Sequence, residues 1–286
     1  MFSRRDFLAF SALALSSFCF AVSDQPVPLP AALQQLERSN GCRLGVTVLK
    51  IGSSKPSGYR ADERFPMCST FKFLLAAAVL HRIDRRQENP DRLIAIPAKP
   101  LINNSPLTEL HAGGTMTVTA LLEAALTRSD NTAANLLLDT IGGPAGLTSF
   151  ARSIGDKVTR LDRTEPSLNE AQPGDPRDTT SPSAMAEDLN RILLGNVLSP
   201  ASRQRLITWM EGNRTGLDKL RAGVPAGWRV ADKTGSNGRD TTNDIAVFWP
   251  PSGKPIIVAA YITQCPGPES KRAEMLKQIG ELAAAR

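Results

Sequence analysis

The chain has 286 residues, 41% hydrophobic and 22% charged, a globular balance that argues against disorder and leaves room for one large or two medium domains. Its formal charge of +6 comes from scattered Lys and Arg residues rather than a basic block, so no nucleic-acid partner is expected. There is no internal repeat and no low-complexity tract.

The first segment reads as an export signal. Arg4 and Arg5 precede an apolar stretch from Phe7 to Val22, and Ala21 offers a cleavage residue, so residues 1–21 are expected to be a signal peptide rather than a membrane span. Ser3-Arg4-Arg5-Asp6-Phe7-Leu8 has the twin-arginine pattern, which predicts a periplasmic protein with no membrane attachment after signal removal. Phe18 is a poor residue to precede a lipidated Cys19. The remaining Cys42, Cys68 and Cys265 are odd in number, so at least one thiol should stay free in an oxidising compartment.

A helix is predicted over residues 30–39, then a strand over 43–50 rich in β-branched residues. From Thr70 to Arg86, Phe71, Leu74, Leu75, Ala78 and Val79 recur at helical spacing. Residues 117–128 and 132–141 read as two further helices, the second ending at Gly142-Gly143. Residues 160–182, polar and with four prolines, read as a long irregular loop, and such loops in compact domains are usually functional. Strands are predicted over 244–249 and 255–263, joined by a turn at 250–254 and followed by a helix over 269–284.

Strands near both termini with helices between them imply an α/β fold of the α+β sandwich type. An antiparallel sheet from both termini would be flanked by helices and would carry an inserted all-helical domain. The expected division places residues 22–66 and 212–286 in the α/β domain and 67–211, with the 160–182 loop, in the helical one. Pockets form at such seams, so the active site is expected there.

Four short strings carry chemistry: Ser69-Thr70-Phe71-Lys72, Ser129-Asp130-Asn131, Glu165-Pro166-Ser167-Leu168-Asn169 and Lys233-Thr234-Gly235. Ser69 and Lys72 are one helical turn apart and share a face. A serine hydroxyl is a weak nucleophile until a base takes its proton, and a desolvated lysine can lose enough basicity to help. Each string alone has a bland explanation, Ser-Asp-Asn as a helix cap for instance. Their order and spacing together do not.

The ordered set resembles that of class A serine β-lactamases, within the wider superfamily of penicillin-binding-protein-like serine acyltransferases. The similarity runs from about Pro30 to the C-terminal helix. It implies hydrolysis of β-lactams, penicillins and cephalosporins, through a serine acyl-enzyme, by a monomer needing no metal or cofactor. Ser69 is then the nucleophile and Lys72 a proton-transfer group, while Ser129 relays a proton to the departing nitrogen. Glu165 activates the deacylating water, which Asn169 helps to position. Asn131 would bind the substrate's side-chain amide, with Asp130 holding the turn. Lys233 and Thr234, on an edge strand, would bind its carboxylate, and Gly235 would let that strand approach. The N–H groups of Ser69 and Ser236 would form an oxyanion hole. The resemblance further implies an ion pair between Arg163 and Asp178 pinning the loop, and a cis peptide before Pro166.

Two positions depart from the pattern. Asn104 stands at the entrance where many relatives have an aromatic residue, which removes substrate stacking, and Thr242 replaces an arginine that helps bind the carboxylate in several penicillinases. Lys219 or Arg239 could substitute for that arginine. Some carbapenem-hydrolysing relatives bridge the position of Cys68 to one that corresponds here to Asn237, so Cys68 is expected to be a buried free thiol. The competing readings are a DD-peptidase or esterase, which Glu165 and Asn169 oppose, and a non-catalytic β-lactam sensor. A metal hydrolase is disfavoured, since His81 and His111 are the only histidines and no ligand cluster is present.

Overall fold

The computed structural model describes residues 27–53 and 55–285, so the expected signal peptide and its twin-arginine pattern lie outside the described residues. The chain opens with helix α1 (Leu29–Asn40), which stops where Gly41 takes a left-handed conformation, φ 59°. Strand β1 (Arg43–Lys50) follows at its predicted bounds, with short β2 (Ser57–Tyr59) and β3 (Phe65–Pro66). A single 3₁₀ turn, Cys68–Thr70, then leads into α2 (Phe71–Asp84). That helix ends two residues before the predicted limit because Arg86 adopts φ 58°, outside the helical region.

A small hairpin of β4 (Leu93–Ala95) and β5 (Thr115–Thr117) precedes helices α3 (Val118–Thr127), α4 (Asn131–Thr140) and α5 (Gly143–Ser153). Thr117 and Asp130 cap α3 and α4, each side chain accepting from a backbone N–H three residues on. The long loop is less irregular than its composition implies. It holds a 3₁₀ turn at Ser167–Asn169, and strand β6 (Thr179–Thr180) pairs with β3. Helices α6 (Pro182–Leu189) and α7 (Pro200–Glu211) lead to strands β7 (Arg229–Ser236), β8 (Thr242–Trp249) and β9 (Ile256–Thr263), and α8 (Glu269–Ala284) closes the described chain. β8 begins two residues earlier than predicted because Thr242 pairs with Ser236.

The main sheet is antiparallel, ordered β2-β1-β9-β8-β7, so strands from both ends of the chain meet in it. Every residue of β9 is buried, because both faces of the sheet are covered. On one face Leu44, Val46, Phe248 and Val258 pack with Leu33 of α1 and Leu276 and Ile279 of α8. On the other, Ile245, Val247, Ile257 and Tyr261 join the core of the helical part, which includes most of α2. β7 is an outer strand, and its Lys233-Thr234-Gly235 segment meets the 3₁₀ turn ahead of α2.

Cys42 and Cys265 form a disulfide across the ends of β1 and β9, while Cys68 is free and buried. His81 is half-buried near the end of α2, its ring 5.6 Å from that of Phe150. His111 lies exposed in a 3₁₀ turn.

Candidate active site

The 3₁₀ turn places Ser69 directly before the first turn of α2, and Lys72, one turn on, points the same way. Lys72 Nζ lies 3.0 Å from Ser69 Oγ and has four further acceptors: the backbone oxygen of Ser129 (2.8 Å), Ser129 Oγ (3.3 Å), Asn131 Oδ1 (2.6 Å) and Glu165 Oε1 (3.0 Å). An ammonium has three protons, so five acceptors leave it a choice of partners. Lys72 is completely buried, and desolvation depresses its pKa against the opposing pull of the Glu165 and Asp130 carboxylates.

Ser129 follows α3 in a left-handed conformation, φ 55°, and Cys68 and Asn104 have φ 44° and 62°. Non-glycine residues rarely adopt this region, and such residues cluster at functional sites. Asp130 explains how Ser129 is held. It is fully buried, and its carboxylate accepts from the N–H groups of Leu107, Thr108 and Ala133 and from the Thr108 hydroxyl, at 2.8–3.0 Å. Asn104 Nδ2 donates to the backbone oxygen of Ser129 at 3.1 Å, and Asn131 Nδ2 donates to that of Asn103 at 2.8 Å.

The loop brings Glu165 to the other side of Ser69. Its Oε1 accepts from Ser69 Oγ at 3.4 Å, its Oε2 accepts from Asn169 Nδ2 at 2.6 Å, and it is buried. Asn169 Oδ1 is buried and has no partner among the described residues, which leaves an acceptor free beside the carboxylate. The Glu165–Pro166 peptide is cis. Arg163 Nε reaches Asp178 Oδ2 at 2.6 Å and its Nη1 contacts Glu170, while Asp178 Oδ1 accepts from the N–H groups of Asp162 and Arg163.

The sequence reading missed Asn135. Its Oδ1 accepts from the Glu165 N–H at 3.0 Å and its Nδ2 donates to the Glu165 backbone oxygen at 2.9 Å, clamping that peptide to α4. The available signal was helical spacing, since Asn135 lies four residues beyond Asn131 on one face of the helix.

The opposite wall is β7. A Cβ added to Gly235 would lie 2.6 Å from the Met67 carbonyl oxygen and 3.0 Å from the Ser69 backbone nitrogen, so only glycine lets the strand pass this close to the 3₁₀ turn. Lys233 Nζ donates to Ser129 Oγ at 3.2 Å and to the Thr234 backbone oxygen at 2.8 Å. Burial, reinforced by the neighbouring Lys72 cation, pushes its pKa down to about 7. The Thr234 hydroxyl bonds to that of Thr215.

The two candidates for the missing arginine differ. Lys219 lines the cleft, with Nζ 2.9 Å from Asp218 Oδ1 and 3.7 Å from Glu269 Oε1. Arg239 is not among the residues that line the cleft. Its Nη2 donates to the backbone oxygens of Glu170 (2.8 Å) and Asn169 (3.4 Å). Thr242 is buried and accepts from Arg272 Nε at 2.9 Å, facing away from the cleft.

These groups surround a cleft of about 360 Å³. Ser69, Asn104, Ser129, Asn131, Asn169, Lys219, Thr234, Gly235 and Ser236 line it, while Lys72, Glu165 and Lys233 lie buried beneath its walls. A cavity of about 420 Å³ behind the loop involves none of these residues. The chemistry belongs to the smaller space.

The model of the β-lactamase enzyme family matches residues 28–286 of the chain. Among curated proteins, it is 45% identical to β-lactamase L2 of Stenotrophomonas maltophilia over 99% of this chain and 98% of that protein. Identity to β-lactamase CTX-M-8 of Citrobacter amalonaticus is 50%, over 88% of this chain and 85% of that protein. Among solved structures, an ancestral class A β-lactamase, GNCA, is 57% identical with a TM-score of 0.88, covering 90% of this chain and 98% of that one. A β-lactamase from Xanthomonas campestris pv. campestris is 49% identical with a TM-score of 0.87, covering 89% and 96%.

Proposed function

Because the chain belongs to the β-lactamase enzyme family and resembles its class A structures throughout, we propose that it hydrolyses penicillins and cephalosporins through an acyl-enzyme on Ser69. One observation carries this reading. A buried Lys72–Glu165 pair sits against the proposed nucleophile, at 3.0 Å and 3.4 Å from Ser69 Oγ.

In acylation, Ser69 Oγ attacks the lactam carbonyl carbon while its proton passes to the buried pair. Lys72 can act as a base because burial lowers its affinity for the proton. The developing oxyanion is stabilised by the N–H groups of Ser69 and Ser236, which Gly235 allows to face one point. As the C–N bond breaks, Ser129 gives its proton to the leaving nitrogen and is replenished from Lys72 or Lys233, both within hydrogen-bond distance of its hydroxyl. In deacylation, Glu165 takes a proton from a water positioned with Asn169, the resulting hydroxide attacks the ester carbon, and Ser69 recovers its proton as the ester bond breaks.

Lys233, Thr234 and Lys219 bind the substrate carboxylate in this reading, Asn131 and Asn104 its amide side chain, and the Ser236 hydroxyl supports cephalosporin carboxylates. The protein acts as a monomer in the periplasm after removal of residues 1–21, exported by the twin-arginine route. Residues 67–211 form a helical domain inserted between the two parts of the α/β domain.

The experiment is a chromogenic cephalosporin mixed with the purified mature protein, followed by intact mass spectrometry. Multiple turnovers without a lasting adduct are expected, and Ser69→Ala should remove hydrolysis while leaving the fold intact. A persistent adduct on the wild type would instead support a penicillin-binding protein or a sensor.

A further inference from the structure

The turn between β7 and β8 contributes Gly238 to the lining of the cleft and, through Arg239, touches the loop that carries Glu165. Asn237 organises this turn. Its Oδ1 accepts from the N–H groups of Arg239, Asp240 and Thr241 at 3.0–3.1 Å, and its Nδ2 donates to Asp240 Oδ1 at 2.9 Å. The Gly238 N–H donates to Ser236 Oγ at 3.0 Å, and the Cys265 N–H to the Asp240 backbone oxygen at 3.1 Å, so the turn is tied to β7 and to the disulfide-bearing end of β9. Three backbone amides on one side chain leave the turn little freedom. It presents Arg239 to the loop.

Arg239 Nη2 donates to the backbone oxygens of Glu170 and Asn169, about seventy residues away in sequence. Arg163 in turn holds the Glu170 carboxylate. Residues 169–170 are thereby held by two cations, one within the loop on the Glu170 side chain and the other from the β7–β8 turn on the backbone. Asn169 is also the residue whose Nδ2 holds Glu165 Oε2 at 2.6 Å. Displacing its backbone moves the carboxylate and the free Oδ1 together.

We propose that Arg239 is a positioning residue for deacylation: it locks the Asn169–Glu170 peptide to the sheet and so fixes where Glu165 and Asn169 hold water. This rests on the reading of Glu165 and Asn169 given above. Arg239 touches neither Ser69 nor Lys72, and Lys72 stays 3.0 Å from Ser69 Oγ as a base, so the attack that forms the ester depends on it far less than deacylation does. Charge-assisted hydrogen bonds are roughly twice as strong as neutral ones, and sub-ångström misplacement of a general base lowers its step steeply. The expected loss is about tenfold in deacylation.

The test compares wild type, Arg239→Ala, Arg239→Lys and Glu165→Ala by rapid quench with a penicillin, with acyl-enzyme measured by intact mass. For Arg239→Ala the proposal expects acylation within about twofold of wild type, about tenfold slower deacylation, and so falls in kcat and KM together with kcat/KM little changed. Arg239→Lys, which can reach one of the two carbonyls, should recover part of the loss. Equal deacylation in Arg239→Ala and wild type, while Glu165→Ala still traps the ester, would overturn this proposal and leave the mechanism standing. Equal slowing of acylation and deacylation would also overturn it, since that marks general damage to the site. If Glu165→Ala turned over steadily without an adduct, the underlying reading would fail and this inference with it.

Discussion

Replacing Glu165 with alanine separates the two half-reactions. In the folded protein Glu165 Oε1 is 3.0 Å from Lys72 Nζ, and its carboxylate works against the desolvation that drives the Lys72 pKa down. Removing it leaves burial less opposed, so the Lys72 pKa should fall further and the amine should be neutral over a wider range of pH. Ser69 would keep a base within 3.0 Å and would still form the ester. Water would lose its base, which typically costs about 10²–10⁴-fold in the step served. That factor corresponds to about 2.7–5.4 kcal/mol in the deacylation barrier at ~1.36 kcal/mol per decade. A penicillin should therefore give one burst of product per enzyme and then near silence, with a mass increase of one substrate on the peptide containing Ser69. A base must be deprotonated to act, so the acid limb of the acylation rate should move to lower pH in the mutant, following the lower Lys72 pKa. Steady turnover with no adduct, or an acid limb displaced to higher pH, would refute the reasoning.

Arg163→Ala should free the loop, because it breaks a 2.6 Å pair whose carboxylate, Asp178, is almost fully buried, and breaking such a pair costs about 3–5 kcal/mol. Penicillin turnover should fall at least tenfold and limited proteolysis should cut within 160–182; unchanged kinetics and unchanged cleavage would show that the pair does not hold the loop. Asp188, buried beside Asp156 with no hydrogen-bond donor to either carboxylate oxygen among the described residues and with Arg191 3.8 Å away, has its pKa raised well above 3.8, first by desolvation and then by the Asp156 charge, with Glu187 adding to it. A raised carboxyl pKa means that the folded state holds a proton the unfolded state releases. This contribution is complete below the unfolded pKa of about 3.9 and is lost progressively as pH rises towards the folded value. Asp188→Asn should accordingly gain about 1–3 kcal/mol at pH 8 relative to pH 5 in urea melts, and an equal change at both values would count against the buried proton.

Much of this molecule is legible in local sequence. The RLGVTVLK strand and the C-terminal helix appear at their predicted bounds, because period-2 and period-3.6 patterns are set by neighbours a few residues away. Ser69 and Lys72 could be paired from spacing alone, since one helical turn fixes their common face. Where expectation and structure differ, backbone geometry or strand pairing had decided. α2 stops short of Arg86, whose φ is positive, β8 extends to Thr242 across a tight turn to Ser236, and the strand at Thr179–Thr180 forms only against the distant β3. The pairing of Cys42 with Cys265 follows from β1 and β9 being neighbours in the sheet. Asn135 against Glu165, Arg239 against the loop and Asp188 against Asp156 are contacts across 30, about 70 and 32 residues, closed only when the helices, loop and sheet pack together. Sequence determined which chemical groups the chain carries and their local faces. Tertiary packing decided which of them lose water, and hence which lysine and which carboxyl have shifted proton affinities, because desolvation depends on everything that surrounds a group in space.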